Sequence, residues 1–274
     1  MFKDGNGFTD LSETASITVC NRFSMANFEE FSTTITARES AVEKKSALAI
    51  FCRAPRLGSV KTRLAQTHGA EFALQLYCAM LADCFDLGRA LAPEIETFAC
   101  FTPGDAFENR ALDFLWNGPR LAQCEGDLGA KILDCFAQLR ARGFEKICVI
   151  GSDSPDLPPE FLQESFAALR VHDFAFGPSC DGGFYAMSAK SEFSAEIFRD
   201  VMWSSSTTLS QIEINLRRIS QPLKGSANWL RLPSWRDVDD AEDLQDLEHR
   251  LFRSRADVDV GAPRTRDFLK SYKK

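Results

Sequence analysis

Histidine is scarce in this sequence: His68, His172 and His249 are the only three in 274 residues. None has the spacing of a metal-ligand pair, and no Ser/His/Asp arrangement or nucleophile elbow accompanies them, Ser154 included. The nine cysteines contain no Cys-x-x-Cys pair. Most lie inside apolar runs, as small buried hydrophobes in a reducing compartment, which disfavours a zinc site or a disulfide framework. No apolar run approaches the roughly 20 residues of a membrane-spanning helix. The polar start, Met1-Phe-Lys-Asp-Gly-Asn-Gly, is followed by no signal-peptide core, so the cytoplasm is the expected compartment. Basic excess is absent too. The net charge is −7, which argues against a general nucleic-acid binder and makes any local cation cluster more informative.

What remains is the composition of an ordinary globular protein, 45% hydrophobic and 26% charged. Residues 1–46 are rich in Ser, Thr and charge without a sustained period, and read as a poorly ordered extension. From Ala47 the pattern alternates strand and helix. Ala47–Cys52, Ile95–Phe101, Leu121–Cys124, Lys146–Ile150, Phe174–Phe176, Gly183–Met187 and Trp229–Leu232 read as strands. Between them, apolar residues at helical spacing (Leu74, Cys78, Leu81 and Phe85; Ile132, Cys135 and Leu139; Leu162, Phe166 and Leu169) predict helices. A shorter helix is expected over Arg110–Trp116, another over Leu209–Ile219, and a last one from Asp240. Residues 251–274 read as a loosely packed tail. The alternation predicts an α/β three-layer sandwich over 47–250 with a mostly parallel mixed sheet, whose ligands bind at the carboxyl ends of strands.

The loops at those ends carry the unusual residues. Arg53-Ala-Pro-Arg-Leu-Gly-Ser-Val-Lys61-Thr-Arg63 follows the first strand, with no acid between Cys52 and Glu71. Arg53, Lys61 and Arg63, with Gly58 allowing a close turn, suit the phosphates of a nucleotide; a solvated basic loop is the plainer alternative. The Gly-x-x-x-x-Gly-Lys-Ser/Thr spacing of a P-loop is missing, which disfavours an ordinary ATPase. Asp153, just past a buried strand, is placed to ligate Mg²⁺ or Mn²⁺, whereas Asp156 reads as a helix cap. Asp181, in Asp181-Gly-Gly-Phe-Tyr185, suits sugar hydroxyls or a base role toward an acceptor, or is simply a tight turn. Asp239 is either a second carboxylate for the same metal or part of a capping run. Gly126, Asp127 and Gly129 allow a nucleobase or ribose to approach the backbone, or form a plain capped helix start.

Taken in order, these motifs resemble the bacterial glycosyltransferase-A-like family of arsenosugar-biosynthesis-type glycosyltransferases. The resemblance covers about residues 47–250 and rests most on Phe51-Cys-Arg-Ala-Pro-Arg-Leu-Gly-Ser-Val-Lys-Thr-Arg-Leu. Gly126-Asp-Leu-Gly, Gly151-Ser-Asp-Ser-Pro-Asp-Leu, Asp181-Gly-Gly-Phe-Tyr, Trp203-Ser and Asp237-Val-Asp-Asp-Ala-Glu-Asp-Leu follow in the family's order. It implies a nucleotide-diphospho-sugar transferase (GT-A) fold, a metal-binding aspartate at Asp153 and nucleotide contacts from the first loop. Guanylyltransferases on the same scaffold have Asp-Val-Asp-Thr-Pro-Glu-Asp-Leu in the last position, which supports Asp239 as a second ligand; here Asp240-Ala241 replaces Thr-Pro.

The leading expectation is a glycosyltransferase using Mg²⁺ or Mn²⁺, a nucleotide-sugar donor and a small-molecule acceptor, with Lys61 and Asp181 as catalytic residues. The alternatives are a nucleotidyltransferase acting on a nucleoside triphosphate and a non-catalytic nucleotide-binding protein. Neither a nucleic-acid partner nor a membrane span is expected.

Overall fold

A computed structural model describes residues 46–103, 110, 112–190, 192–220, 228–253 and 261–272. Their centre is a seven-stranded sheet in the order β3-β2-β1-β4-β6-β5-β7. The strands are β1 (Ser46–Cys52), β2 (Ile95–Phe101), β3 (Arg120–Ala122), β4 (Lys146–Ile150), β5 (Phe174–Pro178), β6 (Phe184–Ala189) and β7 (Trp229–Arg231). β1 pairs in parallel with both β2 and β4, β2 with β3, and β5 with β7; β6 alone runs antiparallel to its neighbours β4 and β5.

The apolar run of β1 explains why it sits centrally. Leu48 and Ile50 enter one core, shared with Leu81 and Phe85 of α2 (Ala70–Ala90). Ala47 and Ala49 enter the other, shared with Ile132 and Leu139 of α3 (Leu128–Ala141). Side chains alternate across a strand, so a continuous hydrophobic run is what a strand covered on both faces requires. Each fully buried Leu or Phe contributes roughly 1.5–3 kcal/mol. α4 (Pro159–Ala168) joins the first core through Leu162 and Phe166. α5 (Thr208–Ser220) joins the second through Leu209, Ile212 and Leu216. The result is the expected three-layer α/β sandwich.

A third apolar cluster lies beside this sandwich. It is built from α1 (Thr62–His68), one side of α2, α6 (Ala241–Arg253) and α7 (Pro263–Tyr272). Helix α7 corrects the reading of the chain end as a loose tail. Its Phe268 and Leu269 are buried beside Phe72, Leu76 and Met80 of α2. The buried carboxylate of Asp83 accepts from the Arg264 amide (3.0 Å), the Thr265 amide (2.8 Å) and the Thr265 hydroxyl (2.6 Å), capping the first turn of α7 from another helix. The expected N-terminal extension lies outside the described residues, apart from Ser46, which begins β1. Of the helix expected over 110–116, Arg110, Leu112 and Asp113 are helical, and the amides of Leu115 and Trp116 close its end on the Leu112 carbonyl.

Chain order around β1 determines where a ligand fits. From β1 the chain moves to β2 and then β3 on one side, and returns to β4 on the other. The loops leaving β1 and β4 therefore part in opposite directions, opening a crevice at their carboxyl ends.

Candidate functional site

A cavity of about 440 Å³ occupies that crevice. Its wall comes from the end of β1 (Phe51–Arg53), the following loop (Ser59–Arg63), Thr102 after β2, Gln123 after β3, Leu128 and Lys131 of α3, and Ser152, Asp153 and Asp239.

The basic loop is held by specific devices. Tyr77, buried in α2, accepts from the Arg53 amide (2.8 Å) and donates to the Arg53 carbonyl (2.9 Å), fixing the backbone as it leaves β1. Burial, followed by the neighbouring Cys52 thiol, pushes the Tyr77 phenol above its ordinary pKa, so it remains protonated and able to donate. The Ser59 amide then closes a turn on the Arg56 carbonyl (3.1 Å) with Gly58 at φ 75°, a conformation other residues adopt only under strain. The side chains divide after this turn. Arg53 and Arg63 are exposed on the cavity wall, while only 4% of the Lys61 side chain is accessible.

Three distant segments meet at Lys61. Its ammonium donates to Asp153 Oδ1, to the Val238 carbonyl (2.5 Å) and to Asp239 Oδ1 (3.2 Å). The Val238 amide in turn donates to the Asp153 carbonyl (2.9 Å), stitching the loop after β4 to the segment before α6. Burial opposes the charged amine, yet Asp153 and Asp239 outweigh it and hold the Lys61 pKa above its ordinary value. The carboxylates themselves are open, 43% and 48% accessible, so they keep oxygen surface for a ligand.

This convergence tests whether a divalent cation fits. Two carboxylates and one carbonyl already surround a cationic group, and all three are the hard oxygen donors that Mg²⁺ and Mn²⁺ favour. Among the described residues, no three His, Cys, Asp or Glu side chains group as a ready cage. A site of two carboxylates, completed by water and substrate phosphates, is the usual arrangement for Mg²⁺.

The other expected site residues are placed differently. Asp127 is the N-cap of α3: its Oδ1 accepts from the Ala130 amide (2.8 Å) and its Oδ2 from the Trp203 indole (3.1 Å). Gly129 is needed for packing, since a Cβ there would lie 2.9 Å from the Trp203 ring and 3.0 Å from Phe198. Gly126, Asp127 and Gly129 thus form the capped helix start, and their neighbours Leu128 and Lys131 make the cavity wall. Asp181 lies outside the cavity in the β5–β6 hairpin, where its Oδ1 accepts from the Ser179 hydroxyl and the Gly183 amide (2.9 Å). Asp156 is not the cap of α4; it is buried and paired with Arg250 (2.6 Å).

Asp237 was not singled out from the sequence. Burial first, then the charges of Asp239, Asp181 and Asp153, raise its pKa to about 6. That coupling places the hairpin carboxylate Asp181 and the carboxylates around Lys61 in one electrostatic neighbourhood. The Asp237-Val-Asp239 alternation was the available signal, because residues two apart in an extended segment point the same way. Tyr77 and the Val238 carbonyl gave none, the first looking like any core residue and the second being backbone.

Comparison with known proteins bears on this architecture. The profile of a family described as "Uncharacterized protein conserved in bacteria (DUF2064)" matches residues 86–205. No curated protein matches the sequence. Among solved structures, a provisionally assigned nucleotide-diphospho-sugar transferase from Desulfovibrio desulfuricans G20 superposes with a TM-score of 0.73 at 27% identity, covering 84% of this chain and 96% of that one. The fold is that of the nucleotide-diphospho-sugar transferase superfamily. A cytidylyltransferase from Leptospira borgpetersenii superposes less closely on this transferase fold, with a TM-score of 0.51 at 12% identity over 84% of this chain and 95% of its own. No helix among the described residues is long and apolar enough to cross a membrane.

Proposed function

We propose that the protein is a metal-dependent glycosyltransferase that takes its sugar from a nucleotide-diphospho-sugar and passes it to a small-molecule acceptor. The observation that carries this reading is the meeting of Asp153, Asp239 and Lys61 at the edge of a 440 Å³ cavity whose rim presents Arg53 and Arg63. The cavity lies at the β1/β4 switch point, where this class of fold binds its ligands. The resemblance in sequence motifs and the 27% identity to the Desulfovibrio protein support the same donor class.

In this reading the donor diphosphate lies along the basic loop. The bond between the sugar's anomeric carbon and the phosphate oxygen breaks, an acceptor oxygen takes its place, and the acceptor's proton passes to a base. Arg53 and Arg63 hold the departing phosphate oxygens by charge-assisted hydrogen bonds. Asp153 and Asp239 would hold Mg²⁺ or Mn²⁺, which supplies positive charge where the leaving diphosphate becomes more negative. Losing one such contact costs about 3–4 kcal/mol, on the scale of an oxyanion-hole deletion. Asp181 and Asp237 lie on the hairpin side, where the acceptor would enter, and Asp181 is the candidate to orient its hydroxyl.

The concentration of cations in the first loop favours a second reading, nucleotidyl transfer. A triphosphate carries more charge for Arg53 and Arg63 to match, and a phosphorylated acceptor would displace pyrophosphate from the α-phosphate. One assay separates the two. Purified protein with Mn²⁺ is offered sugar nucleotides and, separately, nucleoside triphosphates with phosphorylated acceptors. Hydrolysis or transfer of a sugar supports the first reading; pyrophosphate release with no turnover of any sugar nucleotide replaces it with the second.

A further inference from the structure

An ammonium has three N–H donors, and Lys61 commits all three inside the protein, to Asp153 Oδ1, the Val238 carbonyl and Asp239 Oδ1. In this arrangement it has no donor left for a phosphate, and it lies against the same carboxylate oxygens that a divalent cation would need. The two cations draw on the same negative charge, so the lysine weakens the carboxylates' hold on a metal and a metal weakens their hold on the lysine. From this geometry we infer that Lys61 is a tethered competitor for the metal, and that metal entry and phosphate capture are coupled through its release. The inference rests on the proposed metal reading of Asp153 and Asp239.

The local structure favours such an exchange. Lys61 is the residue before α1 and sits in the left-handed region (φ 47°, ψ 47°), which an L-residue with a Cβ adopts only at some cost. Its side chain is buried while both carboxylates face outward, so a cation can approach the pair from the cavity without first displacing the loop. A metal that takes the carboxylates frees the ammonium, at the cavity wall, to donate to an anion. An anion that engages the ammonium opens the carboxylates in the same way. Linkage makes the effect reciprocal: each ligand strengthens binding of the other by the same factor.

The test uses Mn²⁺ alone, counted by the electron paramagnetic resonance signal of the free ion, on the full chain without nucleotide. Lys61→Met should bind Mn²⁺ roughly tenfold or more tightly than the wild type, because the metal-competent state no longer has to be released from the lysine. Arg63→Gln removes the same charge from the same loop without touching the pair, and should change affinity by no more than about threefold, as a screened surface charge does. Unchanged or weaker binding by Lys61→Met, or an equal gain in Arg63→Gln, overturns the exchange. In those cases Mn²⁺ binding that is lost in Asp153→Asn leaves the metal reading standing. Absence of Mn²⁺ binding from both wild type and Lys61→Met overturns the two together. A second measurement needs no variant. In protein labelled with nitrogen-15 lysine, the ammonium resonance of Lys61, protected by its three hydrogen bonds, should shift or broaden on addition of diamagnetic Mg²⁺. A resonance unchanged at saturating Mg²⁺ sinks the proposal.

Discussion

Single side chains determine what this site can hold, and Asp153 is the first to test. Asp153→Asn keeps the shape but removes the charge that faces both Lys61 and the cavity. Nucleotide affinity measured calorimetrically should then no longer rise when Mn²⁺ is added; a persistent Mn²⁺ effect would place the ligands elsewhere or favour the non-catalytic reading. Gly182 offers a structural counterpart. It sits at φ 91°, and a Cβ there would fall 2.1 Å from the Ser206 carbonyl oxygen, which is backbone and cannot move aside cheaply. Gly182→Ala should lower the stability found by urea unfolding by about 2 kcal/mol or more, combining left-handed strain with a backbone clash. Some of this was legible in advance and some was not. Asp153 and Lys61 stood out because an acid after an apolar strand and a cation after a glycine turn are local patterns. That they bind each other was not legible, because 92 residues separate them and only the parallel pairing of β1 with β4 brings their loops together. Asp127 had two readings in the sequence, a ligand contact and a helix cap, and the cap is the one with visible partners. Of its flanking glycines, Gly129 also serves helix packing against Trp203, a partner more than seventy residues away in sequence and so not legible from the local motif.

Helices and strands were easier to read than their purposes. Burial on both faces gave β1 and β4 continuous apolar runs, and the one-sided apolar spacing of α3 and α4 followed from facing a single core, whereas α2 is buried on two sides. Helix α7 was missed because its short sequence, Pro263–Tyr272, is mostly polar and its few apolar residues fit only a groove already built by α2 and α6. Its anchor can be tested through pH. Burial raises the Asp83 carboxyl to about 6 from an ordinary 3.8, more than its hydrogen bonds from Thr265 and Arg264 pull it down. The folded protein therefore binds a proton at Asp83 more tightly than the unfolded chain does. Stability from this group is fully present below about pH 4, declines as pH rises toward 6 and is level above that, a loss of up to about 3 kcal/mol. Asp83→Asn cannot ionise and should remove that decline, seen as a smaller difference between melting temperatures at pH 4.5 and pH 6.5 than the wild type shows. An unchanged difference would mean that Asp83 is not the group responsible.

At the scale of the whole molecule, sandwich and site depend on each other. Alternating strands and helices made the three-layer architecture legible, but strand order is not written in any one segment; β6 entering antiparallel between β4 and β5 emerges only from the assembled sheet. If the crevice binds nucleotides with a metal, the intact chain should melt higher in their presence. A ligand at a hundred times its dissociation constant adds about 2.7 kcal/mol to the folded state. A thermal-shift series of sugar nucleotides and nucleoside triphosphates, each with and without Mn²⁺, should give the largest rise for the true donor class, and no rise for any member would count against nucleotide use altogether. The stitching of Lys61 to Asp153 and then to Val238 and Asp239 has a consequence for biosynthesis. A ribosome delivers these residues in that order, so a nascent chain ending shortly after β7 already contains all seven strands yet lacks the segment that supplies two of the ammonium's three acceptors. The centre is thus completed only after the sheet, and a chain stalled or clipped at that point would carry all seven strands with an unfinished charge cluster.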